Sequence, residues 1–129
     1  MIVGIGLDLA QIERVRSFLE RRGERGSRRL FTDGERAYCE RRNRTRFASY
    51  AGRFAVKEAV MKLLGTGWAR GVRWVDIEVL RAPGEAPRVV LHGATARIAA
   101  AKGIARVHIT ITHDAGIAAA VAIGESAIA

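Results

Sequence analysis

Between Gln11 and Arg22 the apolar residues Ile12, Val15, Phe18 and Leu19 recur at helical spacing, and Arg14, Arg16, Arg21 and Arg22 take the remaining faces. The pattern predicts an amphipathic helix with a basic exterior. Before it, Met1 to Gly6 is a short β-branched run bounded by Gly4 and Gly6, which predicts a strand ending just before Asp8. Gly23 to Arg29 reads as a linker of glycine and arginine. Thr32-Asp33-Gly34-Glu35 then has the Thr-x-x-Glu spacing of a capping box and predicts a helix from Thr32 to about Arg42. A longer helix is expected from about Arg44 to Leu64, closed by Gly65-Thr66-Gly67. Its second half, Phe54 to Leu64, is apolar almost all round and must be buried on most sides.

Beyond it the period shortens. Arg73 to Arg81 and Arg88 to Leu91 read as two strands of a hairpin, joined by a turn with Pro83, Gly84 and Pro87. Gly93 to Lys102 is an Ala-rich helix stopped by Gly103. Arg106 to Thr112 alternates Val107, Ile109 and Ile111 with His108, Thr110 and Thr112, the period of a half-buried strand. His113 to Gly116 is expected to turn the chain into a last strand, Ile117 to Ile123.

The chain has 129 residues, 49% of them apolar, enough for one domain over residues 1–129 with its own core. A multidomain enzyme is excluded. The lone Cys39 can form no intrachain disulfide and no zinc cluster, and points to a reducing, cytoplasmic setting. The N-terminus lacks a basic leader, and the longest apolar run is too short to span a bilayer, so no membrane association is expected.

A formal charge of +9 calls for an anionic partner. The excess is local, because residues 13–53 hold 13 of the 22 cations against 6 acids. Nucleic acid is the alternative reading, as a non-catalytic basic module. The stretch Arg14 to Arg29 nevertheless lacks interleaved aromatics, and no nucleic-acid-binding signature appears, so an acidic protein fits at least as well.

Lys57, Glu58 and Lys62 are the only charges in the stretch Phe54 to Leu64, and buried charge is costly without partners or a ligand. Glu58 and Lys62 lie four apart, about 40° around a helix, and Arg53 and Lys57 share that spacing. One reading is ion pairing that steadies a partly exposed helix. The other is a site for a hard divalent cation and phosphates, with the carboxylate on the metal and the cations on the phosphates. Asp8, a second carboxylate amid apolar residues, suits the latter. His113 sits at the end of the penultimate strand, where a histidine is more often structural or exposed than catalytic.

The segments GIGLDLAQIERV, RFAVKEAVMKLLGTG, WVDIEVL and HITITHDAGIAAAVA, with Phe31-Thr32-x-x-Glu35-x-x-Tyr38, resemble the holo-[acyl-carrier-protein] synthases. The similarity runs from residue 3 to about residue 124. That family transfers 4′-phosphopantetheine from coenzyme A to a carrier-protein serine. The resemblance implies that Asp8 and Glu58 bind Mg²⁺ and that Lys62 neutralises the coenzyme's phosphates. Arg53, Lys57, Thr112 and His113 would fall at the coenzyme's phosphates or the wall of its site. Arg14, Arg21, Arg22 and Arg25 would receive an acidic acyl carrier protein. It also implies an α+β fold, with an antiparallel sheet packed against the long central helix, and a homotrimer with shared sites. Thr110-Ile111-Thr112-His113 stands where the family usually has Ser-x-Ser-His, keeping the hydroxyls and adding methyls. Gly84-Glu85-Ala86-Pro87 replaces the usual Gly-x-Pro.

Overall fold

The computed structural model describes residues 1–127. The period change at residue 12 is where the first strand, β1 (Ile2–Gln11), gives way to the first helix, α1 (Ile12–Leu30). Then follow α2 (Asp33–Arg41), a single 3₁₀ turn, and α3 (Arg46–Leu64). A second 3₁₀ turn (Trp74–Asp76) leads into β2 (Ile77–Leu80), β3 (Arg88–Leu91), α4 (Gly93–Ala101), β4 (Arg106–Asp114) and β5 (Ile117–Glu125). Strands β1, β5 and β4 form an antiparallel sheet in that order, and β2 and β3 form a separate hairpin. The expected α+β architecture, a sheet packed on the long central helix, is what the chain adopts.

The apolar second half of α3 explains its place. Val56, Val60, Met61 and Leu64 are each no more than 2% exposed, and burying such a side chain stabilises the fold by about 1.5–3 kcal/mol. One flank of α3 lies on the inner sheet face, where Gly4, Gly6 and Ala10 of β1 meet Ala118, Ala120, Ala122 and Gly124 of β5. Gly6 permits the close approach. A methyl group there would sit 1.8 Å from the Ala59 carbonyl oxygen, so no larger residue fits without separating helix from strand.

Four expectations are corrected. First, β1 runs past residue 6 to Gln11, paired with β5 as far as Ile117, so Asp8 lies within the strand, facing α3. Second, residues 23–29 are helical. Gly23, at φ 61° and ψ −150°, kinks α1 in a conformation open to glycine alone, and the chain then rewinds because Gly26 and Leu30 dock on the core. Third, Trp74–Asp76 coils rather than extends, held by the Asp76 N–H donating to the Arg73 carbonyl and by an Arg73–Asp76 ion pair. Fourth, His113 and Asp114 remain in β4. The turn is the two-residue Ala115-Gly116, both at positive φ, which matches the twist of the paired strands.

The capping box forms as expected. The Thr32 hydroxyl accepts from the Glu35 N–H, and the Glu35 carboxylate accepts from the Thr32 N–H at 2.9 Å. α3 ends at Gly65 in the left-handed conformation.

Candidate active site

Successive residues of a helix advance about 100°, so Lys57 and Glu58, adjacent in the chain, leave α3 toward different surroundings. Glu58 and Lys62 project toward β1, where alternation turns Asp8 to meet them. Lys62 Nζ donates to Asp8 Oδ1 at 3.0 Å and to the Leu7 carbonyl at 3.0 Å. The Asp8 side chain is only 13% exposed, and that of Lys62 is 55% exposed.

Glu58 is half-buried and has neither a hydrogen bond nor an ion pair among the described residues. Burial pushes its carboxyl above the usual carboxylate range and the neighbouring Asp8 charge pushes it further, against a smaller opposing pull from Lys62. Lys62 therefore reaches across to the strand instead of pairing with Glu58 along its own helix. Two carboxylates share one ammonium, and one of them is left unneutralised.

Such a donor set suits a hard divalent cation, which needs one or two carboxylates and takes its remaining oxygens from substrate phosphates and water. No group of three or more acidic, histidine or cysteine side chains that could enclose a metal occurs among the described residues.

Other expected site residues lie elsewhere. Lys57 is fully buried, and its three donors go to Glu35 Oε1 at 2.9 Å, the Trp74 carbonyl at 2.9 Å and the Ile77 carbonyl. Burial pulls its ammonium below the ordinary lysine range, opposed by Glu35. All three donors of the ammonium are thus engaged in the core of this chain. Arg53 is buried too, and its Nε has no hydrogen-bond partner among the described residues. It is 5% exposed, and its guanidinium lies 4.1 Å over the Tyr38 ring, on the α2 side of α3.

Thr112 and His113 are exposed on β4. β5 separates them from β1, and two strand spacings amount to about 10 Å. Thr112 also lies on the outer sheet face, opposite α3, so within one chain these residues do not converge with Asp8. Arg14, Arg21, Arg22 and Arg25 are exposed on α1. The helix's acids are taken by others, Glu13 and Glu20 by Arg16 and Glu24 by Arg28, which leaves those four cations without an ion pair among the described residues.

The sequence reading missed Glu35 as the partner of Lys57. It found the residue only as a cap, though a glutamate three beyond an N-cap and followed by Tyr38 and Cys39 already sits on an inward face. It also missed the contact of Phe54 with Trp74, whose rings stack at 5.1 Å and 18°. A cleft of about 380 Å³ between α1, α2 and α3, lined by Gly23, Arg36, Phe47 and Tyr50, contains none of the Asp8 cluster. Its acid Glu40 is already engaged by Arg46 and the Tyr50 hydroxyl.

The carboxylate pair with its lysine, between a glycine-thinned strand and a buried helix, is a donor set that could take a divalent cation and phosphates. The sequence profile of the 4′-phosphopantetheinyl transferase superfamily matches residues 4–121, and the chain belongs to that superfamily. Within it, the chain is 48% identical to the holo-[acyl-carrier-protein] synthase of Desulforudis audaxviator, covering 98% of this chain and 96% of the relative. The crystal structure of holo-[acyl-carrier-protein] synthase from Neisseria meningitidis superimposes with a TM-score of 0.87 at 25% identity, over 98% of this chain and 100% of that one. The Helicobacter pylori holo-[acyl-carrier-protein] synthase, solved in complex with coenzyme A, gives a TM-score of 0.81 at 29% identity, over 94% and 99%.

Proposed function

We infer that the protein transfers the 4′-phosphopantetheine group of coenzyme A to a serine of an apo acyl carrier protein, giving holo carrier protein and adenosine 3′,5′-bisphosphate. The observation that carries this reading is Glu58, half-buried and unpartnered beside Asp8, with Lys62 bridging from the same helix face. The named relatives and the coenzyme A complex of a structural neighbour support it.

Asp8 and Glu58 would hold Mg²⁺, which when bound supplies charge neutralisation at the coenzyme's pyrophosphate. Lys62 has the reach to leave Asp8 for a phosphate oxygen, since half its side chain is exposed. The carrier-protein serine hydroxyl attacks the β-phosphorus of coenzyme A, and the bond to the leaving 3′,5′-bisphosphate breaks. A loose transition state of this kind asks for positioning and positive charge more than a strong base. The serine proton passes to Glu58 or to solvent.

Arg14, Arg21, Arg22 and Arg25 of α1 form the surface for an acidic carrier protein, supported by their freedom from ion pairing. The outer sheet face supports assembly with further copies. Ile5, Leu7 and Leu9 are 61%, 56% and 65% exposed and adjoin Ile123, Val121 and Ala119 in register, a continuous apolar patch of the kind that marks an interface. In a homotrimer, Thr112 and His113 of one copy would complete the site of the next, which accounts for their distance from Asp8 within a chain. A cytoplasmic role in fatty-acid synthesis fits the buried lone Cys39, whose thiol is pushed up to about 12 and is unreactive. No helix among the described residues is long and apolar enough to cross a membrane.

The test is intact-mass spectrometry of an apo acyl carrier protein after incubation with the protein, coenzyme A and Mg²⁺. One phosphopantetheine increment per carrier, abolished by EDTA, is expected. Salt-sensitive RNA binding without any increment would instead favour the basic-module reading.

A further inference from the structure

The chain has three lysines, and the fold gives each a different fate. Lys57 spends all its donors inside the core, and Lys102 is exposed at the end of α4 with no ion pair among the described residues. Lys62 is the intermediate case. Its ammonium gives two donors to β1, one to Asp8 Oδ1 and one to the Leu7 carbonyl, each at 3.0 Å, while more than half of its side chain stays exposed. Glu58, one turn back on the same helix face, receives neither.

The choice of Asp8 has an electrostatic reason. Its side chain is only 13% exposed, so little water reaches the carboxylate, and the facing Glu58 carboxylate repels it. A positive charge is worth most there. Yet holding a long side chain in one geometry costs rotamer entropy, and a half-exposed ion pair returns little. The bond is one the protein can give up. Arginine would grip the carboxylate with a planar fork, whereas lysine holds it as a compact, rotatable point charge.

One ammonium neutralises one of the two carboxylates. A divalent cation would neutralise both and would compete with Lys62 for Asp8. Ammonium and divalent cation together leave surplus positive charge, which phosphates would balance. We propose that the Lys62 ammonium is the site's own stand-in for the divalent cation: it neutralises Asp8 while the site is empty, is displaced from that carboxylate when the cation arrives, and then turns to the coenzyme's phosphates. Cation and coenzyme binding are thereby coupled. The cation alone must displace an ammonium and leave it without a partner, and the coenzyme supplies that partner. This rests on the coenzyme A reading above and adds to it the coupling between its two ligands.

The experiment follows the lysines by NMR, after isotopic labelling at lysine Cε, with Lys57 as the fixed reference and Lys102 as the mobile one. Titrating the wild type with Mg²⁺ alone should move the Lys62 signal toward the mobility of Lys102, and adding coenzyme A should restrain it again, with Lys57 unmoved throughout. Calorimetry gives a second readout. Lys62→Met, which removes the charge, should bind Mg²⁺ alone at least about fivefold more tightly than the wild type, and its coenzyme A affinity should gain less from Mg²⁺ than the wild type's does. A Lys62 signal still restrained once Mg²⁺ saturates the site would overturn the proposal, because the two cations would then share Asp8 rather than exchange on it. Mg²⁺ affinity unchanged or weakened in Lys62→Met, or absent from both proteins, would overturn it too. A wild type that exchanges Lys62 for Mg²⁺ yet binds no coenzyme A would remove the functional reading, and with it the coupling, while the exchange stands.

Discussion

Lys57 and Glu58 are neighbours on α3, and the protein treats their charges in opposite ways. On one side Lys57 meets Glu35 in a fully buried ion pair whose remaining valences are met by two backbone carbonyls and by the Val79 N–H donating to Glu35 Oε2. On the other side Glu58 and Asp8 face each other with one half-exposed lysine between them. The first arrangement is complete and holds α2, α3 and β2 together. The second is incomplete, and it is the one proposed to bind. A buried charge without a partner is expensive, so a fold retains one where a ligand supplies the missing partner.

The strongest way to break the contrast is to remove the open carboxylates. Asp8→Ala and Glu58→Ala should leave a folded protein whose transfer rate falls by at least ~10³-fold, by analogy with the loss of transition-state charge stabilisation elsewhere, read by the mass increment on the carrier protein. Next comes the closed side. Lys57→Met strands the Glu35 carboxylate in the core and should lower stability by about 3–5 kcal/mol in urea unfolding. Lys62→Met, at a half-exposed pair, should change stability by no more than ~1 kcal/mol, yet still slow transfer markedly. If the two lysine variants showed the same balance of stability and activity, the contrast would fail.

Smaller effects follow on the surface. Arg14→Glu with Arg21→Glu should raise the carrier-protein KM about tenfold, the equivalent of ~1.4 kcal/mol, and flatten its salt dependence while coenzyme A binding is unchanged. Loss of coenzyme A binding would place α1 in the nucleotide site instead. Smallest is a pH effect on the metal-free protein. Because the Glu58 carboxyl is raised in the fold, ionising it disfavours the folded state. Its contribution is present below the ordinary glutamate pKa and is lost as pH rises through the raised value. Glu58→Gln should therefore raise Tm slightly above that value and not below it, and calorimetric Tm measured across pH reads the difference.

Much of this was legible in the chain. Thr32-x-x-Glu35 marked the start of α2, and the all-round apolar run marked α3 as central. The spacing of Glu58 and Lys62 put both on one face, to which Asp8 was brought by strand alternation and by the absence of a side chain at Gly6. The surroundings of Arg53 and Lys57 were not legible, for a physical reason. Spacing fixes which face of a helix a residue occupies, whereas the identity of that face depends on partners such as Glu35, 22 residues away from Lys57. The same limit applies at Gly23 to Arg29, where composition suggested a linker and the burial of Gly26 and Leu30 made a helix. The ring stack of Phe54 and Trp74 depends on how the chain returns from α3, which no local pattern encodes.

The central claim is that the two carboxylates of the open side act together, through a divalent cation, on the coenzyme's phosphates. Calorimetric titration of the protein with coenzyme A, with and without Mg²⁺, tests it most directly. Affinity should rise at least about tenfold with Mg²⁺, a gain of ~1.4 kcal/mol, and that gain should vanish in Glu58→Gln while Lys57 and Glu35 remain intact. Equal affinity with and without Mg²⁺ in the wild type, or a Mg²⁺ gain undiminished in Glu58→Gln, would contradict the account.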